Sequence, residues 1–186
     1  YIHNYALTYA LGFAVSTYHD KVQVPHYKDD LEPLNDARVY ITPAKPLYTE
    51  YMTSTFKLAD KRYRVEMQQS SVNIPTFGRI RELAPETQLA SYVLAQEEVS
   101  INEWIRLGKW MSKAKVVAQE CEVTTGSGRY SVGHPLNPLD VPERPMIYDL
   151  INMPPVSLID NAEFDGEFLQ VDDLRLPSGL AYRFPE

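Results

Sequence analysis

Lys109, Lys113 and Lys115 recur at alternate positions, with Met111 between the first two, in the stretch SINEWIRLGKWMSKAK at 100–115. If the stretch from Lys109 is a strand, these side chains share a face and stand ~6.7 Å apart, twice the rise per residue. That is the scale of successive phosphates on a nucleic-acid strand, so the chemistry on offer is neutralisation of a phosphate backbone. Trp110, Ser112, Ala114 and Val116 fall on the other face. The competing reading is an ordinary solvated strand face. A second positive set comprises Lys57, Lys61, Arg62, Arg64, Arg79 and Arg81, interleaved with Phe56, Tyr63 and Phe77. Single-stranded nucleic acids are held by cations on phosphates and aromatic faces under bases. Here the alternative is an exposed hairpin with a mixed surface. Two separate basic-aromatic segments in an acidic chain favour RNA.

Other chemistries find little support. His3, His19, His26 and His134 lie far apart, without partners at metal-ligand spacing, and read as surface or structural histidines. GxSxG, P-loop and GxGxxG motifs are absent. The acidic pairs Asp29–Asp30, Glu97–Glu98 and Asp172–Asp173 are adjacent in sequence, so on a strand they point apart and suit solvated charge better than acid–base work. No catalytic residue, metal or cofactor is assigned.

The elements that must position the cations read as follows. Ile2–Val15 is a helix, with Tyr5, Ala6, Tyr9, Ala10, Phe13 and Ala14 as its core stripe. Tyr18–Ala37 is a loop and Arg38–Thr42 a short strand. Leu47–Leu58 is a strand turned at Ala59–Asp60 into a partner, Lys61–Met67. Thr87–Gln96 reads as strand. Ser100 and Glu103 form a capping box for a short helix ended by Gly108, followed by the lysine strand. Val123–Gly133, with three glycines, is a flexible loop, and His134–Pro145, with four prolines, is irregular. Ile147–Ile151 is a strand broken by Asn152–Val156, and Leu158–Val171 is a strand pair turning at Asp165–Gly166. The class is α+β with long loops.

A chain of 186 residues suggests one domain. No run of ~18 apolar residues predicts a membrane span. The chain opens at Tyr1 without methionine or a charged-then-apolar leader, which suggests that its true N-terminus is missing. Cys121 is the sole cysteine, in keeping with a reducing cytoplasm. Net charge is −7, unevenly spread: residues 61–118 carry 9 Lys/Arg against 6 Asp/Glu, residues 119–186 carry 4 against 12. The global field repels nucleic acid, so binding must rest on local basic bands. The acidic third suits docking on a basic partner.

Several segments carry a resemblance: YIHNYALTYALG at Tyr1–Gly12, TFKLA at Thr55–Ala59, GRIREL at Gly78–Leu83, WIRLGKWMSKAKV at Trp104–Val116, HPLNPLDVP at His134–Pro142 and MPPVSLI at Met153–Ile159. Together they resemble the Cas-five-type subunit of the type I-D CRISPR effector complex, the Cascade assembly. The resemblance implies a single ferredoxin-like (RNA-recognition-motif-like) domain over 1–186 with an inserted β-hairpin thumb within 58–75. It implies that the first strand of that fold is missing from this sequence. It further implies a non-catalytic cytoplasmic subunit that holds the 5′ handle of the CRISPR RNA and caps the backbone filament. Partners are the backbone filament subunit and the large subunit, with target DNA near the handle end left open. GRIREL would contribute Arg79 and Arg81; WIRLGKWMSK would contribute Arg106, Lys109 and Lys113. The alternative is a metal-independent endoribonuclease, drawing a base from His3, Tyr5 or Tyr48 and a phosphate-stabilising cation from Lys109. No pair of these is tied by spacing.

Overall fold

The computed structural model describes residues 1–14, 24–58, 76–107 and 112–185, with the backbone alone at 56–58, 76 and 77. The helices are α1 (Asn4–Leu11), α2 (Tyr27–Leu31) and a 3₁₀ turn (Glu32–Asn35). The strands are β1 (Val39–Ile41), β2 (Lys45–Tyr48), β3 (Tyr51–Leu58), β4 (Thr76–Leu83), β5 (Gln88–Ala90) and β6 (Val93–Ala95). They continue as β7 (Trp104–Leu107), β8 (Ser112–Lys115), β9 (Val123–Val132), β10 (Ile147–Ile151), β11 (Leu158–Val171) and β12 (Leu174–Pro177). With few helices and many antiparallel strands, the class is α+β. The chain divides into two compact units, Tyr1–Lys45 with Ala90–Glu186, and Pro46–Leu89.

The larger unit is organised on β11. β9 pairs along one edge of it, from Ala162↔Val132 to Val171↔Val123. β10 covers the start of the other edge and β12 its end. Inward residues Tyr130, Val132, Ala162 and Phe164 alternate with outward Arg129, Ser131, Asn161 and Asp165, as a sheet with one covered face requires. Leu136, Val141, Ile159 and Leu176 complete this core.

Two expectations fail here for one reason. Val123–Gly133 is no flexible loop but a ten-residue strand, and Leu158–Val171 is one continuous strand with no turn at Asp165–Gly166. Gly126 lies opposite Phe168, whose ring covers it so closely that a Cβ there would sit 2.5 Å from the ring. Gly166 likewise leaves room for the Glu143 carboxylate, 2.2 Å from where a Cβ would be. Both glycines permit close approach rather than chain reversal. The reversal falls instead at Asp172–Asp173, between β11 and β12.

α1 is a helix as expected, shorter than Ile2–Val15 where it is described, and ends at Gly12. The imidazole Nδ1 of His3 caps it by accepting the Tyr5 N–H at 3.2 Å. Its buried residues are Asn4, Tyr5, Leu7, Thr8 and Leu11, so the expected stripe is only partly right: Ala6 is exposed, while Tyr9 and Ala10 are half-buried. The inward face includes polar Asn4 and Thr8 because each has a buried partner. Asn4 Nδ2 donates to Asp140 Oδ2 at 2.7 Å. The Thr8 hydroxyl donates to the Asn4 carbonyl and lies 2.6 Å from the Tyr182 hydroxyl. Tyr18–Ala37 is not all loop either: α2 and the 3₁₀ turn occupy Tyr27–Asn35. Pro33 sits in the first turn of the latter, where its missing N–H costs nothing.

Asp140 joins these parts. Besides Asn4 it accepts from the Tyr40 hydroxyl at 3.0 Å and the Arg183 amide at 3.1 Å. The Arg183 guanidinium in turn donates to the Asp140 carbonyl at 2.6 Å. The first part of the irregular run His134–Pro145 is thus packed into the core, with His134, Leu136, Asn137, Asp140 and Val141 buried, while Pro142 and Arg144 are exposed. β1 pairs with β6 beside it, and β10 spans Ile147–Ile151 as the sequence suggests.

In the smaller unit β2 pairs with β5, and β3 pairs with β4 from Tyr51↔Leu83 to Leu58↔Thr76. Among the described residues β4 is the partner of β3, a place the sequence reading gives to Lys61–Met67. That segment, and the expected thumb apart from Leu58, lies outside the described residues.

Candidate nucleic-acid interface

The stretch around Trp104 forms a hairpin, not a helix followed by a strand. β7 pairs antiparallel with β8: Trp104↔Lys115, Ile105↔Ala114, Arg106↔Lys113 and Leu107↔Ser112. The capping-box reading of Ser100–Gly108 fails because its residues have other partners. The Glu103 carboxylate lies 3.4 Å from Lys115 Nζ, and its carbonyl accepts the Val116 N–H at 2.7 Å. Trp and Ile at 104 and 105 also favour a pleated, half-buried surface. Gly108 and Lys109 lie outside the described residues.

Alternation sorts the hairpin into two faces. Ile105 is buried, with half-buried Leu107 and Ala114 on the same face. On the opposite face Trp104, Arg106, Lys113 and Lys115 are all exposed. The expected strand at Lys113 and Lys115 is present, and the structure adds Arg106 directly across from Lys113. Cross-strand Cβ atoms in such pairs are ~4.5–5.5 Å apart. Three cations and an indole therefore share one small exposed block. The Glu103–Lys115 ion pair is solvent-exposed and worth little, so it is no obstacle to a phosphate at Lys115.

Trp104 is the residue that sequence reasoning missed. Read as part of a helix, it has no relation to the lysines; only the β7–β8 register puts it opposite Lys115.

The second basic set is partly placed. Arg79 and Arg81 are exposed on one face of β4, across from Thr55 and Thr53. The Arg81 guanidinium carbon lies 3.8 Å from the centroid of the Tyr51 ring, a cation–π contact. In the same register Lys57 is the cross-strand partner of Phe77, at positions where only the backbone is described. Lys61, Arg62 and Arg64 lie outside the described residues.

Of the groups considered for ribonuclease chemistry, His3 and Tyr5 lie in edge-to-face ring contact at 4.7 Å, and Lys109 lies outside the described residues. His3 and Tyr5 are buried at 3% and 2% exposure. Burial lowers the His3 imidazole to about 4 and raises the Tyr5 phenol far above its usual range. Tyr48 is exposed and donates to the Glu50 carboxylate, which raises its phenol. His134 is also buried and lowered to about 4, its Nε2 2.9 Å from both the Pro43 carbonyl and the Thr42 hydroxyl. The acidic pairs fare no better: Asp29–Asp30 lie on α2 and Asp172–Asp173 in a turn, not on strands. Among the described residues, no group of three or more His, Cys, Asp or Glu side chains could hold a metal ion.

Comparison with known proteins supplies the class. The model of the family described as type I-D CRISPR-associated protein Cas5/Csc1 matches residues 1–185. The chain belongs to that family: it is a Cas5-type subunit of a type I-D CRISPR system. No curated protein matches the chain. Among the described residues no helix is long and apolar enough to cross a membrane.

Proposed function

We propose that this chain is the RNA-binding, non-catalytic subunit that holds the 5′ handle of the CRISPR RNA in a cytoplasmic type I-D effector complex. The observation that carries this reading is the exposed face of the β7–β8 hairpin. Arg106, Lys113 and Lys115 converge there in a chain whose net charge is −7. A local cationic block in a repulsive global field suits a partner that is both anionic and held close. Arg79 and Arg81 on the β3–β4 ribbon supply a second contact to the RNA backbone. α1 and the β1–β6 pair are parts of a ferredoxin-like arrangement.

The role is positioning: the handle is fixed so that target pairing starts in register. The exposed apolar side chains of β10, Ile147, Tyr148 and Leu150, support contacts with protein partners, the backbone filament subunit and the large subunit. Burial of His3 and Tyr5 weighs against the ribonuclease alternative, since neither can reach a 2′-hydroxyl without local opening.

The reading is tested by isolating the chain with its complex and sequencing the bound RNA. A short RNA of uniform 5′ end, contacting this chain on ultraviolet crosslinking, is the expected result. Crosslinks to the other subunits only would overturn it.

A further inference from the structure

We infer that Trp104 is a base-stacking platform, holding one unpaired nucleobase of the bound strand while Arg106, Lys113 and Lys115 grip the flanking phosphates. This rests on the RNA-binding reading and assigns the hairpin a subsite specific for single strands.

The first observation is position. Trp104 lies opposite Lys115 and two residues from Arg106 on the same exposed face. Alternate side chains on a strand stand ~6.7 Å apart, so a base on the indole leaves its own phosphates within reach of the long Arg and Lys side chains. The second is availability. Trp104 is 57% exposed, and among the described residues no ring or guanidinium stacks on it. Tyr51 in the β3–β4 ribbon is the contrast, because Arg81 already covers its ring. The third is rigidity. Ile105, the next residue, is buried on the reverse face, the β7–β8 ladder runs on from the Trp104↔Lys115 pair, and just beyond that pair the Val116 N–H donates to the Glu103 carbonyl at 2.7 Å. A platform must be held before the base arrives, or its ordering offsets the stacking gained.

An indole face recognises any nucleobase but only when the base is unstacked, so the subsite selects single-stranded over duplex RNA. It separates the two terms of binding: the cations carry the salt dependence, Trp104 the part that salt does not touch.

The test uses the full chain with single-stranded RNA carrying the repeat-derived handle, and the same RNA annealed to its complement. Trp104→Leu should weaken single-strand binding roughly 5- to 150-fold, the effect of losing one stacked base, and leave the salt slope unchanged. Trp104→Phe should retain most of the affinity. Scanning an abasic site along the RNA should find one position whose loss costs wild type about as much as Trp104→Leu does and costs the variant nothing. Unchanged affinity in Trp104→Leu, or a loss accompanied by a flatter salt slope, overturns the stacking role. If Trp104→Leu binds normally while the triple variant Arg106→Ala, Lys113→Ala, Lys115→Ala weakens, the RNA reading stands without the stacking subsite. If neither variant affects binding, the RNA reading of this face falls with it.

Discussion

Ile105 and Trp104 are neighbours in sequence with opposite fates: Ile105 is 6% exposed and Trp104 is 57% exposed. A strand turns successive side chains to opposite faces, so one residue anchors the hairpin as the next is offered to solvent. Ile105→Ala should cost about 2–5 kcal/mol of stability, the usual price of emptying a buried aliphatic site. Trp104→Leu should cost far less. Urea unfolding of the two variants checks the assignment; equal losses would mean that the indole is a packing residue.

Acid should destabilise the protein through its buried histidines. Folded His3 and His134 have imidazoles lowered to about 4 by burial, against 6.5 when unfolded. Between those values the unfolded chain binds more protons, so the stability they contribute is complete above about 6.5 and is lost as pH falls through 4. Asp140 acts in the opposite sense: burial raises its carboxyl to about 6, which favours the folded state as pH falls from 6 toward 4. Two histidines against one aspartate leave a net loss in acid. Urea midpoints between pH 7 and 4.5 should fall for wild type and fall less for His134→Gln. A midpoint that rises on acidification would show that Asp140 dominates.

Gly126 should not tolerate even a methyl group. A Cβ there meets the Phe168 ring at 2.5 Å, and overpacking of this kind costs about 1–3 kcal/mol. Phe168→Leu should be destabilising alone yet recover part of the loss in combination with Gly126→Ala. Strict additivity in this double-mutant cycle would show that the two residues do not touch.

The same pair explains what could and could not be read from sequence. β10 and β1 are legible because short apolar runs bounded by proline or polar residues leave few alternatives. α1 is legible as a helix, but its buried face is not, since Asn4 and Thr8 are core residues only by virtue of Asp140 and Tyr182, more than 130 positions away. β9 is hidden because its glycines signal a loop unless Phe168 is known to lie over one of them. In the candidate site, the lysine alternation is local and visible. Arg106 and Trp104 join it only through cross-strand pairing, and the Ser100–Glu103 cap signal points locally to a helix that the ladder overrides. The second basic set is legible by composition, but Arg81's contact with Tyr51 depends on the β3–β4 register.

The chain should not cut RNA. Purified protein incubated with precursor CRISPR RNA, with and without divalent metal, should leave it intact. Specific cleavage within the repeat that disappears on changing His3 or Tyr48 would instead establish the ribonuclease reading.

The central claim is that the exposed face of β7–β8 binds the RNA backbone, and its most direct test is the salt dependence of handle-RNA affinity. Replacing Arg106, Lys113 and Lys115 together by alanine removes three phosphate contacts. The slope of log affinity against log salt should therefore flatten by about 2, at ~0.7 per phosphate for a single strand, with weaker binding at low salt. An unchanged slope and affinity in the folded triple variant would contradict the account.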